Sequence, residues 1–152
     1  MKRIITLLFI LIASFTLVAS KIAFIENNGI ILLEVGEFSS NKVVAVQEIF
    51  EKFSKVKLSG NQKNFVPQGI LNAYYFVDTA LIIDLNSKNI QNYSSEEEIF
   101  LLLQILYSLF ENINGIDRIY ILVDGKQSEI FIRSVNIYFS FPKDLYKTKK
   151  GD

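Results

Sequence analysis

The chain contains no histidine, no cysteine and no tryptophan among its 152 residues. Without imidazole or thiol groups it cannot form Ser–His or Cys nucleophile systems, disulfides, or zinc and haem sites built on His or Cys ligands. Lys and Arg (16) balance Asp and Glu (16), so there is no basic excess of the kind that nucleic-acid binding requires. Half of the residues are apolar, which excludes a disordered chain.

The first twenty residues have the pattern of a targeting segment. Lys2 and Arg3 precede an apolar run from Ile4 to Ala19, and small residues stand before Lys21, where a signal peptidase cuts. As a helix this run spans roughly 24 Å, which is short of the ~30 Å hydrocarbon core of a bilayer. We therefore predict a signal peptide over residues 1–20, with an uncleaved N-terminal anchor as the alternative. The lack of Cys excludes an acylated lipoprotein signal.

The remaining chain is predicted to be one exported domain over residues 21–142, followed by a basic, flexible tail over 143–152. Removal of Lys2 and Arg3 with the signal leaves 14 positive against 16 negative side chains, a net charge of −2. No further apolar run reaches membrane length, so we expect membrane contact only through the N-terminal segment.

The first half of the domain is predicted to contain a hairpin, a helix and two strands. Residues 22–38 have β-type residues on both sides of Asn27-Asn28-Gly29, a turn that tolerates positive φ. A one-sided apolar stripe predicts a helix over 43–54, capped by Ser39, Ser40 or Asn41; its members are Val43, Val46, Ile49, Phe50 and Phe53. Strands are predicted over 70–76 and 80–85.

A second helix is predicted over residues 95–112. Ser95 and Glu98 have the spacing of a capping box, so we expect Glu98 to be a capping residue rather than an acid catalyst. The helix is apolar on nearly every face, more than a single sheet can cover. We predict that Phe100 and Tyr107 contribute to a contact with a second subunit or another envelope protein; the alternative is that the loop over 55–69 covers them.

The last part of the domain is predicted to be β-structure. Residues 119–123 form a strand, Asp124-Gly125 marks a turn, and residues 128–141 alternate as one long strand or two.

The acidic residues offer little support for catalysis. Asp78 and Asp84 are a weak candidate for a glycosidase-type pair because a turn separates them, and Lys126 follows a turn that explains its position. No Walker A, GxGxxG or calcium-loop motif is present. We predict no catalytic residue, no metal site and no cofactor.

Three strings together resemble the GerMN domain of sporulation and spore germination proteins. They are the acidic helix start at 94–98, the helix interior at 102–109, and the strand end Ile119 to Lys126, whose Val-Asp-Gly-Lys is the most specific piece. The segment Val135–Pro142 lacks the Gly, His and Asp that usually close the family's domain. The chain also carries one copy of the domain, where the germination protein carries two.

The resemblance implies an α+β fold similar to ring-building motifs: a mixed sheet with two helices on one face, an αββαβ core, and added N- and C-terminal strands. It also implies an exported cell-envelope protein of the periplasm or extracytoplasmic envelope, serving as a non-catalytic interaction or assembly module. The alternative function is an exported enzyme or ligand binder that acts on cell-wall material.

Overall fold

The computed structural model describes residues 19–146. The predicted signal segment up to residue 18 and the end of the predicted tail, residues 147–152, lie outside the described part. The tail's first residues, Lys143–Leu145, form a short 3₁₀ helix, and Tyr146 stacks on Phe110 with a centroid distance of 5.8 Å. The folded domain therefore continues past the predicted boundary at residue 142.

The N-terminal hairpin forms as predicted. Strands β1 (Ser20–Glu26) and β2 (Gly29–Gly36) pair antiparallel around a turn in which Asn27 and Asn28 have φ of 50° and 62°. A short strand that was not predicted, β3 (Gln62–Lys63), pairs with the end of β1. The hairpin and β3 make a separate three-stranded sheet with the order β2-β1-β3.

The first helix, α1 (Lys42–Lys55), begins one residue before its predicted start because Asn41 accepts a hydrogen bond from the Val43 backbone. Its buried side comprises Ala45, Val46, Ile49 and Phe53. Val43 was predicted on this side and instead lies exposed, so the stripe is rotated slightly toward Ala45.

The second sheet is mixed, as predicted, and is built from four strands in the order β4-β5-β6-β7. They are β4 (Leu71–Val77), β5 (Ala80–Leu85), β6 (Arg118–Val123) and β7 (Phe141–Pro142). Strands β4 and β5 form a hairpin, β5 and β6 run parallel, and β7 pairs antiparallel with the start of β6. The parallel pair is connected by helix α2 (Ser95–Asn112), which completes the αββαβ order.

Both helices lie on one face of the second sheet. On that face Leu81, Ile83, Ile119 and Ile121 are fully buried and share one core with the buried residues of α1 and α2. The Tyr74 hydroxyl on the same face donates to the Val43 carbonyl of α1 (2.8 Å). The predicted placement of the helices is therefore confirmed, while the N-terminal strands form a sheet of their own.

The prediction of one long strand or two over residues 128–141 is wrong. Only Phe141–Pro142 pair as a strand, and residues 130–136 form an irregular turn closed by an isolated bridge between Ile130 and Asn136. The alternating pattern failed here because the backbone N–H groups of this turn bind a buried carboxylate instead of a neighbouring strand.

Candidate functional site

The carboxylate that organises this turn belongs to Glu98, which is fully buried. It accepts hydrogen bonds from four consecutive backbone N–H groups at 3.0–3.2 Å, those of Ile132, Arg133, Ser134 and Val135. The Ser134 hydroxyl donates a fifth bond at 3.2 Å. Successive N–H groups that converge in this way form a concave anion-binding arrangement, here filled by the protein's own side chain.

The predicted capping role of Glu98 is therefore wrong. The N-cap of α2 is Ser94, whose hydroxyl accepts from the Glu97 backbone (3.2 Å) while the Glu97 carboxylate accepts from the Ser94 backbone (2.8 Å). The capping box lies one residue earlier than predicted, so Glu98 lies about 100° around the helix from the capping position and is directed into the interior.

Two opposing effects set the pKa of Glu98. Burial works to raise the pKa, but the backbone N–H donors of residues 132–135 outweigh it and hold the pKa below its ordinary value. The side chain is therefore a structural anion at neutral pH, unsuited to donating a proton as a general acid.

Two further polar residues of α2 also lie in the interior. Gln104 and Ser108 are fully buried and face the backbone of β1. The Ala23 N–H donates to the Ser108 hydroxyl (2.9 Å), and the Gln104 amide donates to the Ala23 carbonyl (3.1 Å). One turn further, Asn112 accepts from the Lys21 N–H (3.2 Å) and donates to its carbonyl (2.6 Å). These three side chains, spaced four residues apart, occupy the place of a neighbouring strand along β1.

The second sheet, by contrast, has a face that neither α1 nor α2 covers within residues 19–146. Tyr75 and Val77 of β4 are 56% and 52% exposed there, and Ile82, Tyr120 and Leu122 on the same side are partly exposed. Tyr, Val, Ile and Leu on one open sheet face make an apolar surface that can bind a protein partner. Among residues 19–146 no group of three or more acidic, His or Cys side chains is placed to hold a metal.

Comparison with known proteins identifies the family. Residues 32–129, more than half of the chain, match the Germane family, described as sporulation and spore germination. The chain belongs to this family.

Solved structures show the same fold. The first GerMN domain of the sporulation protein GerM from Bacillus subtilis has a TM-score of 0.60 at 16% identity, with 78% of this chain and 91% of that chain covered. A protein of Clostridium perfringens described as a lipoprotein has a TM-score of 0.58 at 19% identity, covering 82% and 89%. The tandem GerMN domains of B. subtilis GerM give 0.58 at 16% identity, covering 74% of this chain and 41% of that chain. No curated protein matches the sequence.

The Val-Asp-Gly-Lys string, the most specific piece of the family resemblance, lies beside Asp84 at the ends of the two parallel strands. Asp84, at the end of β5, accepts a hydrogen bond from the Gly125 N–H (2.8 Å) in the turn after β6. Asp124 accepts from the N–H (3.1 Å) and hydroxyl (2.6 Å) of Ser87, and these bonds lower its pKa. The Asp124–Gly125 turn is closed by mutual backbone bonds between Val123 and Lys126. The bonds of Asp84 and Asp124 join this turn to the end of β5 and to the segment that follows it.

The candidate acid pair does not form. Asp78 occupies the turn before β5 and Asp84 lies near that strand's far end, so the length of the strand separates their carboxylates. The acids of α1 are also engaged: Glu48 accepts from the Ser39 N–H (2.7 Å), and Glu51 forms an ion pair with Lys55 (2.8 Å).

Phe100 and Tyr107, the predicted contact residues, are both partly buried by aromatic neighbours. The Phe100 ring lies 5.4 Å from that of Phe65, in the loop between α1 and β4. The Tyr107 ring lies 5.6 Å from that of Tyr146. Their proposed role in a contact with another protein stays a prediction.

Proposed function

We propose that this Germane-family chain is an exported cell-envelope protein and that its domain is a non-catalytic interaction or assembly module. The observation that carries the proposal is the uncovered apolar face of the second sheet, with Tyr75 and Val77 more than half exposed. An exposed cluster of aromatic and aliphatic side chains is typical of a protein-binding surface.

Envelope location is supported by the N-terminal sequence and by the relatives. Residues 1–20 have the charge and hydropathy pattern of a secretory signal. One structural relative is described as a lipoprotein and another as a sporulation protein. Within residues 19–146 no helix combines the length and hydropathy needed to cross a membrane.

The experiment uses the full chain with a C-terminal tag, expressed in a bacterium that exports it. We expect the protein in the envelope fraction and, after chemical crosslinking in intact cells, in adducts of higher mass. Retention in the cytoplasm would contradict the location, and absence of adducts in the envelope would contradict the interaction role. Phe100→Ser and Tyr107→Ser serve as a second series: loss of adducts without loss of melting temperature would add their surface to the contact.

The alternative, an enzyme or binder acting on cell-wall material, is tested with the same preparation. Incubation with purified wall fragments should release no soluble product and should not retain the protein on the insoluble fraction. Release of product that stops in Asp84→Asn or Asp124→Asn, with an unchanged melting temperature, would favour the enzyme.

A further inference from the structure

Strand β4 is the open edge of the second sheet. In the described part of the chain β5 is its only neighbour. The two-residue turn at Asp78-Thr79 makes Val77 and Ala80 a hydrogen-bonded pair, and in an antiparallel ladder such pairs alternate with non-bonded ones. Tyr75 therefore directs its backbone groups toward β5, whereas Tyr74 and Phe76 direct their N–H and C=O groups toward the open edge.

This edge has few of the features that normally prevent strands from pairing. Its sequence, Leu-Asn-Ala-Tyr-Tyr-Phe-Val, contains no charge, no proline and no glycine. Proteins usually protect exposed edges with lysine, proline, bulges or a covering element. Here the one irregularity is a register shift between Leu71 and Ala73, which leaves the half of the strand from Ala73 to Val77 regular.

Exposed apolar side chains surround the same edge. Tyr75 and Val77 lie on it, and Val43 and Val44, in the first turn of α1, are 48% and 43% exposed. That turn is held beside β4 by the bond from the Tyr74 hydroxyl to the Val43 carbonyl. Further along, a groove of about 440 Å³ separates α1, at Phe50 and Ser54, from the Pro67–Leu71 segment that leads into β4.

We propose that a second copy of this chain pairs with β4 antiparallel, around a two-fold axis at Tyr75. Tyr74 of one copy then exchanges both backbone hydrogen bonds with Phe76 of the other, and Phe76 does so with the other copy's Tyr74. The two Tyr75 side chains meet as a non-hydrogen-bonded pair, the closest pairing in an antiparallel ladder. The four-stranded sheets of the two copies then form one continuous sheet. The inference rests on the proposed interaction function and specifies its partner and its surface.

An identical strand suits this edge better than a strand of different sequence. Antiparallel pairing about a two-fold axis uses the same surface twice and closes as a dimer. Like charges opposite each other would destabilise a self-paired strand, and β4 contains none. In this register Asp78 lies opposite Asn72 and away from its own copy. The axis is perpendicular to the sheet, so both copies keep their helices on one side, with Val43 and Val44 of each near the axis.

A single introduced cysteine tests the geometry, because the chain has none of its own. In a non-hydrogen-bonded pair the Cα atoms are about 4.5 Å apart, within the range of a disulfide. The full chain carrying Tyr75→Cys, isolated in mild detergent and oxidised, should run as a covalent dimer. Tyr138→Cys, a tyrosine of similar exposure (47%) outside β4, is the matched control. Equal dimer yields in the two variants would overturn the proposal.

Opposite charges at the axis give an independent test. Two differently tagged full chains are co-expressed and one is captured. When both chains carry Tyr75→Lys, or both carry Tyr75→Glu, co-capture should fall at least tenfold relative to the unaltered chain. The mixed pair Tyr75→Lys with Tyr75→Glu should restore it, and failure of the mixed pair would overturn the two-fold register.

The outcomes also separate this inference from the proposed function. Crosslinked adducts with other envelope proteins, without a Tyr75→Cys dimer, would overturn self-pairing and leave the interaction module standing. Absence of both the dimer and any adduct would overturn the two together.

Discussion

Strands β1 and β4 both have backbone groups that no neighbouring strand satisfies, but these groups are paired in β1 and left open in β4. Each lies in a sheet with backbone groups that no neighbouring strand satisfies along part of its length. In β1 those groups are paired by three side chains of α2: Gln104, Ser108 and Asn112. In β4 no described element covers them.

The difference shows that side chains of a helix can satisfy the open backbone of one strand while the edge of another strand stays open. Helix α2 also satisfies the N–H groups of residues 132–135 through Glu98, so it closes two stretches of backbone with four buried or half-buried polar side chains. Unpaired polar groups in the interior cost about 1–3 kcal/mol each, whereas those at an exposed edge remain hydrated. We therefore expect substitutions in the closed regions to lower stability more than substitutions at the open edge.

The largest expected effect is at Glu98. Glu98→Ala leaves four backbone N–H groups without their acceptor, and we expect it to lower the free energy of unfolding by about 3–5 kcal/mol. Chemical unfolding of the chain from Ser20 onward measures the change. The control Glu96→Ala removes an exposed acid from the same helical turn and should stay within about 0.5 kcal/mol. Equal effects of the two variants would show that the turn does not depend on Glu98.

The second largest effect is expected at Gln104, whose side chain satisfies backbone groups of β1. Gln104→Leu introduces an apolar side chain of similar size but leaves the Phe65 N–H and the Ala23 carbonyl without partners. We expect it to lower the free energy of unfolding by about 2–4 kcal/mol. The same unfolding experiment applies, with Gln47→Leu on the exposed side of α1 as control. An unchanged stability of Gln104→Leu would mean that water or a rearranged strand replaces the hydrogen bonds of Gln104.

Acid should weaken the same closed region. Because the pKa of Glu98 is lower in the folded chain than in the unfolded chain, its stabilisation is complete above the ordinary Glu pKa of about 4.3 and is lost as the pH falls through the folded value. The stability difference between the unaltered chain and Glu98→Gln should therefore stay constant from about pH 7 down to the ordinary Glu pKa of about 4.3 and shrink as the pH falls below it. The stability lost when acid protonates Glu98 should be smaller than the stability lost in Glu98→Ala, because a protonated carboxyl keeps an acceptor oxygen. A difference that does not change with pH would contradict a buried carboxylate.

Two adjacent serines distinguish the observed cap of α2 from the one the sequence favoured. Ser94→Ala removes the N-cap hydroxyl and should cost about 0.5–2 kcal/mol, while Ser95→Ala should stay within about 0.5 kcal/mol. Thermal unfolding of both variants decides between them. The reverse order would restore Ser95 and Glu98 as the capping box.

The smallest effect is expected on the open side. Tyr75→Lys replaces a side chain that is 56% exposed, and at low protein concentration, where copies are separate, stability should change by less than about 0.5 kcal/mol. A large loss in dilute solution would show that Tyr75 supports the monomer, and would remove the contrast between β1 and β4.

Local patterns predicted most of the elements. The Asn27-Asn28-Gly29 turn, the apolar stripe of α1 and the short Asp78-Thr79 hairpin depend on residues close in sequence, so their physics is visible there. The predicted bounds of α2, residues 95–112, are confirmed, but its capping box was placed one residue too late because Ser94 and Ser95, like Glu97 and Glu98, satisfy the same capping pattern.

The sequence by itself determined the two helices, the mixed sheet, the absence of His and Cys chemistry, and the motif strings of the Germane family. Only the tertiary structure decided which polar residues are internal. Gln104, Ser108 and Glu98 are polar residues of a helix that is otherwise apolar on nearly every face, and they bind backbone that is 34 to 85 residues away along the chain. Periodicity reports polarity along one helix, and it cannot report that a buried strand edge or turn needs polar partners. The same limit hid the open edge of β4, because whether a strand has a neighbour is settled by the packing of the whole chain.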